Sequence, residues 1–261
     1  MQIEKSFEHK ISKGSRFNQI YIPRCMEGVF EAGDMVEVRL IGKKEKVHYS
    51  DNLSRSRVGE FKESIIRSIF SNLENFKGIK QAFVVGSFLT QKTDYNDIDV
   101  LLITDSKHME EKAYARLSKK IQLKFHTIAV PESKFDKLIR ICPMTRSMMH
   151  YFASNKKFEI PGEDEIDKQH IEFLLMMPED LLKLKISGGR MYFDALRRLI
   201  AIRKFIEKKP LDQIEVDSEL KSLLGEAVYG LLKKNESFDD KILEDISRIM
   251  GKEIAKIRKM L

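Results

Sequence analysis

The chain has few cysteines, few prolines, no tryptophan and no long apolar run. Its 261 residues include two cysteines, six prolines and no tryptophan. Cys25 and Cys142 are far apart and have no metal-type spacing, which indicates a reducing compartment. No apolar run reaches the roughly 18 residues of a membrane helix, and residues 1–5 lack a signal-peptide core. We therefore expect a cytoplasmic protein that contacts no membrane.

Positive charge exceeds negative charge in this sequence. Lysine and arginine together number 47, against 40 aspartates and glutamates, so the formal net charge is +7 at pH 7. Such an excess suits a polyanionic partner such as nucleic acid, although many basic proteins bind none. The length is enough for two small domains or one of moderate size.

Two aspartates at alternate positions follow a Gly-Ser turn in the first half of the chain. The turn is Gly86-Ser87, the aspartates are Asp97 and Asp99, and apolar runs at 82–85 and 100–103 predict a strand on either side. Side chains two apart on a strand share a face, so both carboxylates repel each other unless a cation lies between them. Carboxylate oxygens suit Mg²⁺, which takes further ligands from water and substrate phosphates. Gly86 permits close approach of a ligand, and Ser87 offers an N–H and a hydroxyl to a phosphate.

This arrangement resembles the DNA polymerase β-like nucleotidyltransferase superfamily, over residues from about 57 to about 130. The resemblance implies that Gly86 and Ser87 hold the triphosphate of a nucleoside triphosphate. It also implies that Asp97 and Asp99 bind two metal ions, Mg²⁺ or Mn²⁺, which activate an attacking hydroxyl and stabilise the leaving pyrophosphate. A second interpretation stays open, in which a glycine turn precedes a strand whose acidic residues are only solvated.

The third carboxylate that this family usually carries on the next strand is missing. The expected strand is 121–130, and no aspartate or glutamate occurs in it. Its alternation places Gln122, Lys124 and His126 on one face, and His126 is the residue expected closest to the aspartate pair, as a base or a ligand. The alternative is a solvated strand histidine. Without the third carboxylate, nucleotide binding can persist where catalysis does not.

The first fifty residues alternate in the manner of short strands separated by turns. A Gly-Asp turn at Gly33-Asp34 leads into the alternating segment Met35–Ile41, and an earlier segment ends at Ile22-Pro23. This pattern resembles the AbrB-like swapped-hairpin domains, in which two chains interlock into one small β-barrel. The resemblance implies a homodimer.

The same resemblance implies DNA contacts from basic side chains on the loops. By position these are Lys13, Arg16 and Arg24. Two alternatives stay open: the module serves dimerisation only, or the likeness is one that any small β-barrel would show.

The remaining sequence is helical by its pattern. A polar linker at 49–56 precedes a helix, and the segments after residue 163 carry apolar stripes at helical spacing, with Pro178 expected to begin a new helix. The fold class is therefore α+β, with three domains at 1–48, 57–162 and 163–261. These are a β-barrel module, a mixed-sheet nucleotidyltransferase domain and a helical bundle. The basic residues between Arg190 and Lys209 form either a solvated face or a cradle for nucleic acid or a triphosphate.

Two classes of function follow from these features. The preferred hypothesis is a metal-dependent nucleotidyltransferase that moves a nucleoside monophosphate from a nucleoside triphosphate to a hydroxyl on RNA, protein or a small molecule. The alternative is a DNA-binding transcriptional regulator whose transferase-like domain senses nucleotide or is inactive. A toxin–antitoxin component is a third hypothesis, by family analogy.

Overall fold

A computed structural model describes residues 7–39, 46–53, 55–90, 95–106, 108–162, 164–184 and 188–261. The chain divides into two compact units, residues 1–44 and residues 45–261.

In residues 7–39 of the N-terminal unit the structure shows one short hairpin. Strands β1 (Ser12–Lys13) and β2 (Asn18–Gln19) pair antiparallel, and a 3₁₀ turn follows at Arg24–Met26. The predicted small β-barrel is not seen: the described residues 7–39 form no closed barrel. Of the expected strand Met35–Ile41, residues 35–39 are not in a strand and residues 40 and 41 lie outside the described part.

The missing barrel has a physical reason in the size of this hairpin. Two paired residues on each strand cannot bury a core. Apolar side chains that a barrel would enclose are exposed instead, with Met35 98% and Phe17 78% accessible to solvent. The others that are more than half exposed are Ile11, Tyr21, Val36 and Val38.

The second unit is built on a mixed five-stranded sheet, which confirms the expected α+β class. Its strands are β3 (His48–Tyr49), β4 (Gln81–Val85), β5 (Ile98–Ile103), β6 (Phe125–Val130) and β7 (Phe152–Ser154). They lie in the order β3-β7-β4-β5-β6, with β5 and β6 parallel and the other pairs antiparallel.

The helices of the second unit fall before, between and after these strands. They are α1 (Arg55–Val58), α2 (Glu60–Glu74), α3 (Met109–Ile121), α4 (Glu132–Ile141), α5 (Pro143–Met148), α6 (Lys168–Leu184), α7 (Gly189–Ile206), α8 (Gln213–Leu224), α9 (Glu226–Lys234) and α10 (Asp240–Met260). The predicted strand 121–130 begins later than expected because α3 continues to Ile121 and Gln122 ends it with a left-handed backbone.

Both faces of the central strands are buried, which explains their unbroken apolar sequence. On β4, Ala82 and Val84 join a core with α2 and α3, whereas Phe83 and Val85 join a second core with α4. Strand β5 alternates in the same way. Asp99, which lies between Ile98 and Val100 of the first core, is therefore on the sheet face that α4 covers.

Arg197, Arg203 and Lys204 of the basic run are ion-paired within the helical region, whereas Arg190 and Lys209 are paired but exposed. Arg203 is buried and binds Glu219, Glu207 (3.2 Å) and Glu253 (2.9 Å). The other pairs are Arg190 with Asp194, Arg197 with Asp217, Lys204 with Glu215 and Lys209 with Glu207. The pairs of Arg197, Arg203 and Lys204 link α7 to α8 and α10.

Pro178 does not begin a new helix as expected but lies inside α6. Proline lacks the N–H that would bond to the carbonyl four residues earlier, which is that of Leu174. Arg198 of α7 donates to the Leu174 oxygen instead, at 3.5 Å. A tertiary contact thus replaces the missing helical hydrogen bond.

Among the described residues, no helix is both long enough and apolar enough to cross a membrane.

We expect Arg203→Ala to lower the free energy of unfolding by about 3 kcal/mol, because it leaves the carboxylates of Glu219 and Glu253 without their buried partner. Arg190→Ala is the matched control on the same helix. It breaks an exposed pair with Asp194 and should cost less than about 1 kcal/mol. Urea unfolding measures both variants, and equal losses would show that the Arg203 network does not hold the helices together.

Candidate functional site

The residues of the Gly-Ser and aspartate motifs meet at one end of the sheet. In the register, Val85 of β4 is paired with Asp99 of β5, and Asp99 is paired with His126 of β6. Gly86 follows Val85 directly, so the turn lies beside the aspartate strand. The four motif residues 91–94 between them lie outside the described part of the chain.

Gly86 is required where it stands for two reasons. Its φ is +80°, in the region that favours glycine, and a Cβ at this position would overlap Asp99 Oδ2 and lie 3.3 Å from Asp99 Cγ. Any larger residue would therefore push the carboxylate away. The absent side chain lets the Asp99 carboxylate rest against the backbone of the turn.

The turn after Gly86 is fixed by its own hydrogen bonds. Ser87–Leu89 forms a single 3₁₀ turn, in which Thr90 N and Thr90 Oγ1 both donate to the Ser87 carbonyl, at 3.0 and 2.7 Å. Phe88 and Leu89 are buried in the core, while Ser87 remains partly exposed. The buried neighbours hold the Ser87 backbone at the surface of the sheet end.

Asp99 and His126 are joined directly. His126 Nδ1 lies 3.0 Å from Asp99 Oδ1, and the two side chains are 59% and 30% exposed. Burial raises the pKa of Asp99, the His126 hydrogen bond opposes this, and the nearby Asp97 charge raises it further.

The carboxylate pair fits a divalent cation only as a partial set of ligands. Within the ranges that the structure describes, no group of three His, Cys, Asp or Glu side chains is arranged to hold a metal. Two mutually repelling carboxylates are nevertheless the oxygen donors that Mg²⁺ or Mn²⁺ accepts when water and phosphates complete the shell. Asp97 and Asp99 are thus compatible with the ion, provided that a substrate supplies further oxygens.

Lys62 is a residue of this region that the sequence pattern did not reveal. Its Nζ, reaching from α2, donates to the Thr90 carbonyl at 2.7 Å and lies 5.4 Å from the ring centroids of Phe88 and Tyr95. Burial lowers the pKa of Lys62. The contact anchors the end of the Gly86 turn to α2. Neither its spacing from the turn nor its residue type signals this role, because the contact spans 28 positions.

The basic residues predicted to contact DNA belong to the other unit. Lys13 is in β1, Arg16 is in the turn between β1 and β2, and Arg24 begins the 3₁₀ turn; all three are exposed. These three residues and the Gly86 and Asp99 site therefore belong to different units.

We expect Gly86→Ala to displace the Asp99 carboxylate, in addition to straining a backbone at φ +80°. Gly225→Ala is the matched control, since its φ is +76° and an added Cβ meets nothing within 4 Å. Both variants should lose about 1–2 kcal/mol of stability in urea unfolding. Only Gly86→Ala should also reduce binding of ATP and Mg²⁺ in calorimetry. Equal binding by both variants would show that the Gly86–Asp99 approach has no functional role.

Comparisons with protein-family models, with curated proteins and with solved structures find no match to this chain. The site is therefore interpreted from its own geometry.

Proposed function

We propose that the chain is a metal-dependent nucleotidyltransferase, which moves a nucleoside monophosphate from a nucleoside triphosphate to a hydroxyl acceptor and releases pyrophosphate. The observation that carries the proposal is the placement of Asp99 against the Gly86 backbone with Asp97 close by. A fixed turn with a partly exposed Ser87, next to two carboxylates, combines a phosphate-binding element with a cation-binding one.

Each part of this site has a separate role in the proposed reaction. The backbone and hydroxyl of Ser87 bind the β- and γ-phosphates, which the glycine allows to approach closely. Asp97 and Asp99 would hold Mg²⁺ or Mn²⁺, and such an ion would neutralise phosphate charge and favour ionisation of the acceptor hydroxyl. His126 keeps the Asp99 carboxylate in one orientation through the 3.0 Å contact.

The proton of the acceptor needs a destination, and His126 offers one. Because Nδ1 is engaged by Asp99, the neutral ring keeps its proton there and leaves a lone pair on Nε2. Nε2 takes the hydroxyl proton as the acceptor oxygen bonds to the α-phosphorus. The bond from the α-phosphorus to the bridging oxygen breaks, and its electrons leave with pyrophosphate. His126 thus serves where the resembled family has its third carboxylate.

The DNA-binding regulator is the second candidate function for two reasons. The described strand β6 contains no carboxylate. The exposed Lys13, Arg16 and Arg24 would suit a DNA-binding module. In this alternative the site binds nucleotide without transferring it. Turnover distinguishes the two functions, since binding is common to both.

We further propose that the N-terminal unit joins two chains by exchanging hairpins. Its exposed Phe17, Met35 and Val38 are the kind of side chains that an interlocked pair would bury.

We also propose a cytoplasmic location. A reducing cytoplasm suits the free cysteines, of which Cys25 is exposed and Cys142 buried.

We expect Asp99→Asn to abolish Mg²⁺-dependent ATP binding. We also expect the free energy of unfolding of this variant to increase relative to that of the wild type as the pH rises. The raised pKa of Asp99 means that the folded protein holds this proton more tightly than the unfolded chain. Stability from that proton is present at acid pH and is lost as the pH rises through the folded pKa. Asparagine stays neutral and escapes the loss. Calorimetry and urea unfolding between about pH 4 and pH 8 measure both effects.

Asp136→Asn provides the control for this prediction, because Asp136 is exposed on α4. This variant should bind ATP as the wild type does. The difference between its free energy of unfolding and that of the wild type should not grow as the pH rises. Unchanged ATP affinity in an Asp97→Asn, Asp99→Asn double variant would remove the site assignment altogether.

For His126→Ala we expect turnover to fall at least tenfold, about 1.4 kcal/mol of transition-state stabilisation, with ATP binding largely retained. His126→Asp restores a carboxylate and should recover turnover, whereas His108→Ala, which removes an exposed histidine from the same unit, should have no effect. The readout is the initial rate of pyrophosphate release. A normal rate for His126→Ala would make this residue a solvated strand histidine.

Removing residues 1–44 should convert a dimer into a folded monomer that keeps its nucleotide site, because the second unit contains its own cores. Analytical ultracentrifugation gives the mass of each form. A monomeric full-length chain would contradict the hairpin exchange.

The DNA affinity of the full-length protein should fall steeply as the salt concentration rises. The Arg16→Ala, Arg24→Ala double variant should reduce the slope of log affinity against log salt by about two phosphate contacts.

A further inference from the structure

A small cavity lies beside the Gly86 turn, on the side away from His126. Its volume is about 130 Å³, and it is lined by Leu53, Arg57, Leu89, Thr90, Tyr151 and Ile214. Leu89 and Thr90 are the last residues of the 3₁₀ segment that begins at Ser87. The cavity and the proposed triphosphate turn therefore share one piece of backbone.

The sheet register places the cavity next to the turn from the other direction as well. Val85 of β4 is paired with Phe152 of β7, so Tyr151 reaches the sheet end at the level of Gly86. Along this end of the sheet, Tyr151 directly precedes β7, Gly86 directly follows β4, Asp99 is on β5 and His126 is on β6. Leu53, Leu89 and Tyr151 of the cavity belong to the core on the α2 and α3 face, whereas Asp99 is on the opposite face, so the turn at the sheet end lies between the cavity and the aspartates.

The Tyr151 side chain is held in place by several contacts, one of which is a hydrogen bond with Arg57 of the cavity lining. Its hydroxyl donates to Asp212 Oδ2 at 2.7 Å, and Asp212 Oδ1 accepts from Ile214 N at 2.8 Å as the N-cap of α8. The ring of His150 meets the Tyr151 ring edge-on at 4.6 Å. A tyrosine fixed in this way gives the cavity a rigid aromatic wall, at low entropic cost to any ligand that contacts it.

The chemistry of the lining selects the kind of ligand. Leu53, Leu89 and Ile214 are apolar, whereas Arg57 offers several N–H donors. A ligand for this cavity needs apolar faces and an edge of hydrogen-bond acceptors. Cavities of roughly 150 Å³ hold a single benzene-sized ring, so the space suits one heteroaromatic ring system rather than a whole nucleotide.

We propose that this cavity receives the nucleobase of the nucleoside triphosphate whose phosphates bind at the Gly86 turn. This inference rests on the proposed function, because the base in the cavity and the phosphates at the turn would belong to the same nucleoside triphosphate. Planar rings with acceptor edges, packed on tyrosine and contacted by arginine, are how proteins bind bases. The cavity also joins the sheet to α8, so base binding would contact both parts of the unit.

The test compares nucleotides with the phosphate chain alone. Wild-type protein is titrated by calorimetry, in Mg²⁺, with inorganic triphosphate and with each of the four common ribonucleoside triphosphates. The inference predicts that at least one nucleotide binds tenfold or more tightly than inorganic triphosphate. Ile214→Trp, which fills the mouth of the cavity at an exposed position, should remove that advantage and leave the affinity for inorganic triphosphate unchanged.

Two further variants complete the design. Ile166→Trp makes the same substitution at another exposed isoleucine, away from the cavity, and should retain the nucleotide advantage. Arg57→Gln removes the charge without filling the space and should lower the advantage several-fold.

The outcomes separate the two proposals. If neither inorganic triphosphate nor any nucleotide binds, the proposed function and this inference both fail. If every nucleotide binds no better than inorganic triphosphate, the base cavity is wrong while the phosphate site stands. An advantage that survives Ile214→Trp and Arg57→Gln would show that the base binds elsewhere.

Discussion

The approach of the Asp99 carboxylate to the Gly86 backbone is the contact on which the rest of the proposed site depends. It occurs because β4 and β5 are neighbours in the sheet and because position 86 has no side chain. Burial and the charge of Asp97 make an ionised Asp99 costly in the folded protein. The hydrogen bond from His126 offsets part of this cost. In the function that we propose, a cation and phosphates would relieve the rest.

Around that contact, the sheet end orders the chemistry by strand. Tyr151 precedes β7, Gly86 follows β4, Asp99 is on β5 and His126 is on β6. The proposed substrate would cross the end of the sheet, with its base by Tyr151 on the α2 and α3 face, its phosphates at the turn and the acceptor near His126 on the opposite face. The buried apolar faces of β4 and β5 make this end of the sheet rigid, since both strands are covered on either side.

The sequence allowed prediction of this region to the extent that its signals are local. The apolar run 82–85, the glycine turn and the alternation around Asp99 depend on near neighbours, so the strands and their shared edge could be foreseen. Lys62 under Thr90 and Arg198 on the Leu174 carbonyl depend on contacts between distant segments, which no single pattern encodes. The predicted N-terminal barrel differs for another reason: alternation indicates strands, but an enclosed core here needs more chain than one copy supplies.

The most direct test of the central claim is transfer itself. The purified protein is incubated with Mg²⁺, each of the four nucleoside triphosphates labelled at the α-phosphate, and total tRNA or cell extract as acceptor. The account predicts that label enters an acceptor with the wild-type chain and that none enters with the Asp97→Asn, Asp99→Asn double variant. No transfer by the wild type with any nucleotide or acceptor, or equal transfer by both proteins, would contradict it.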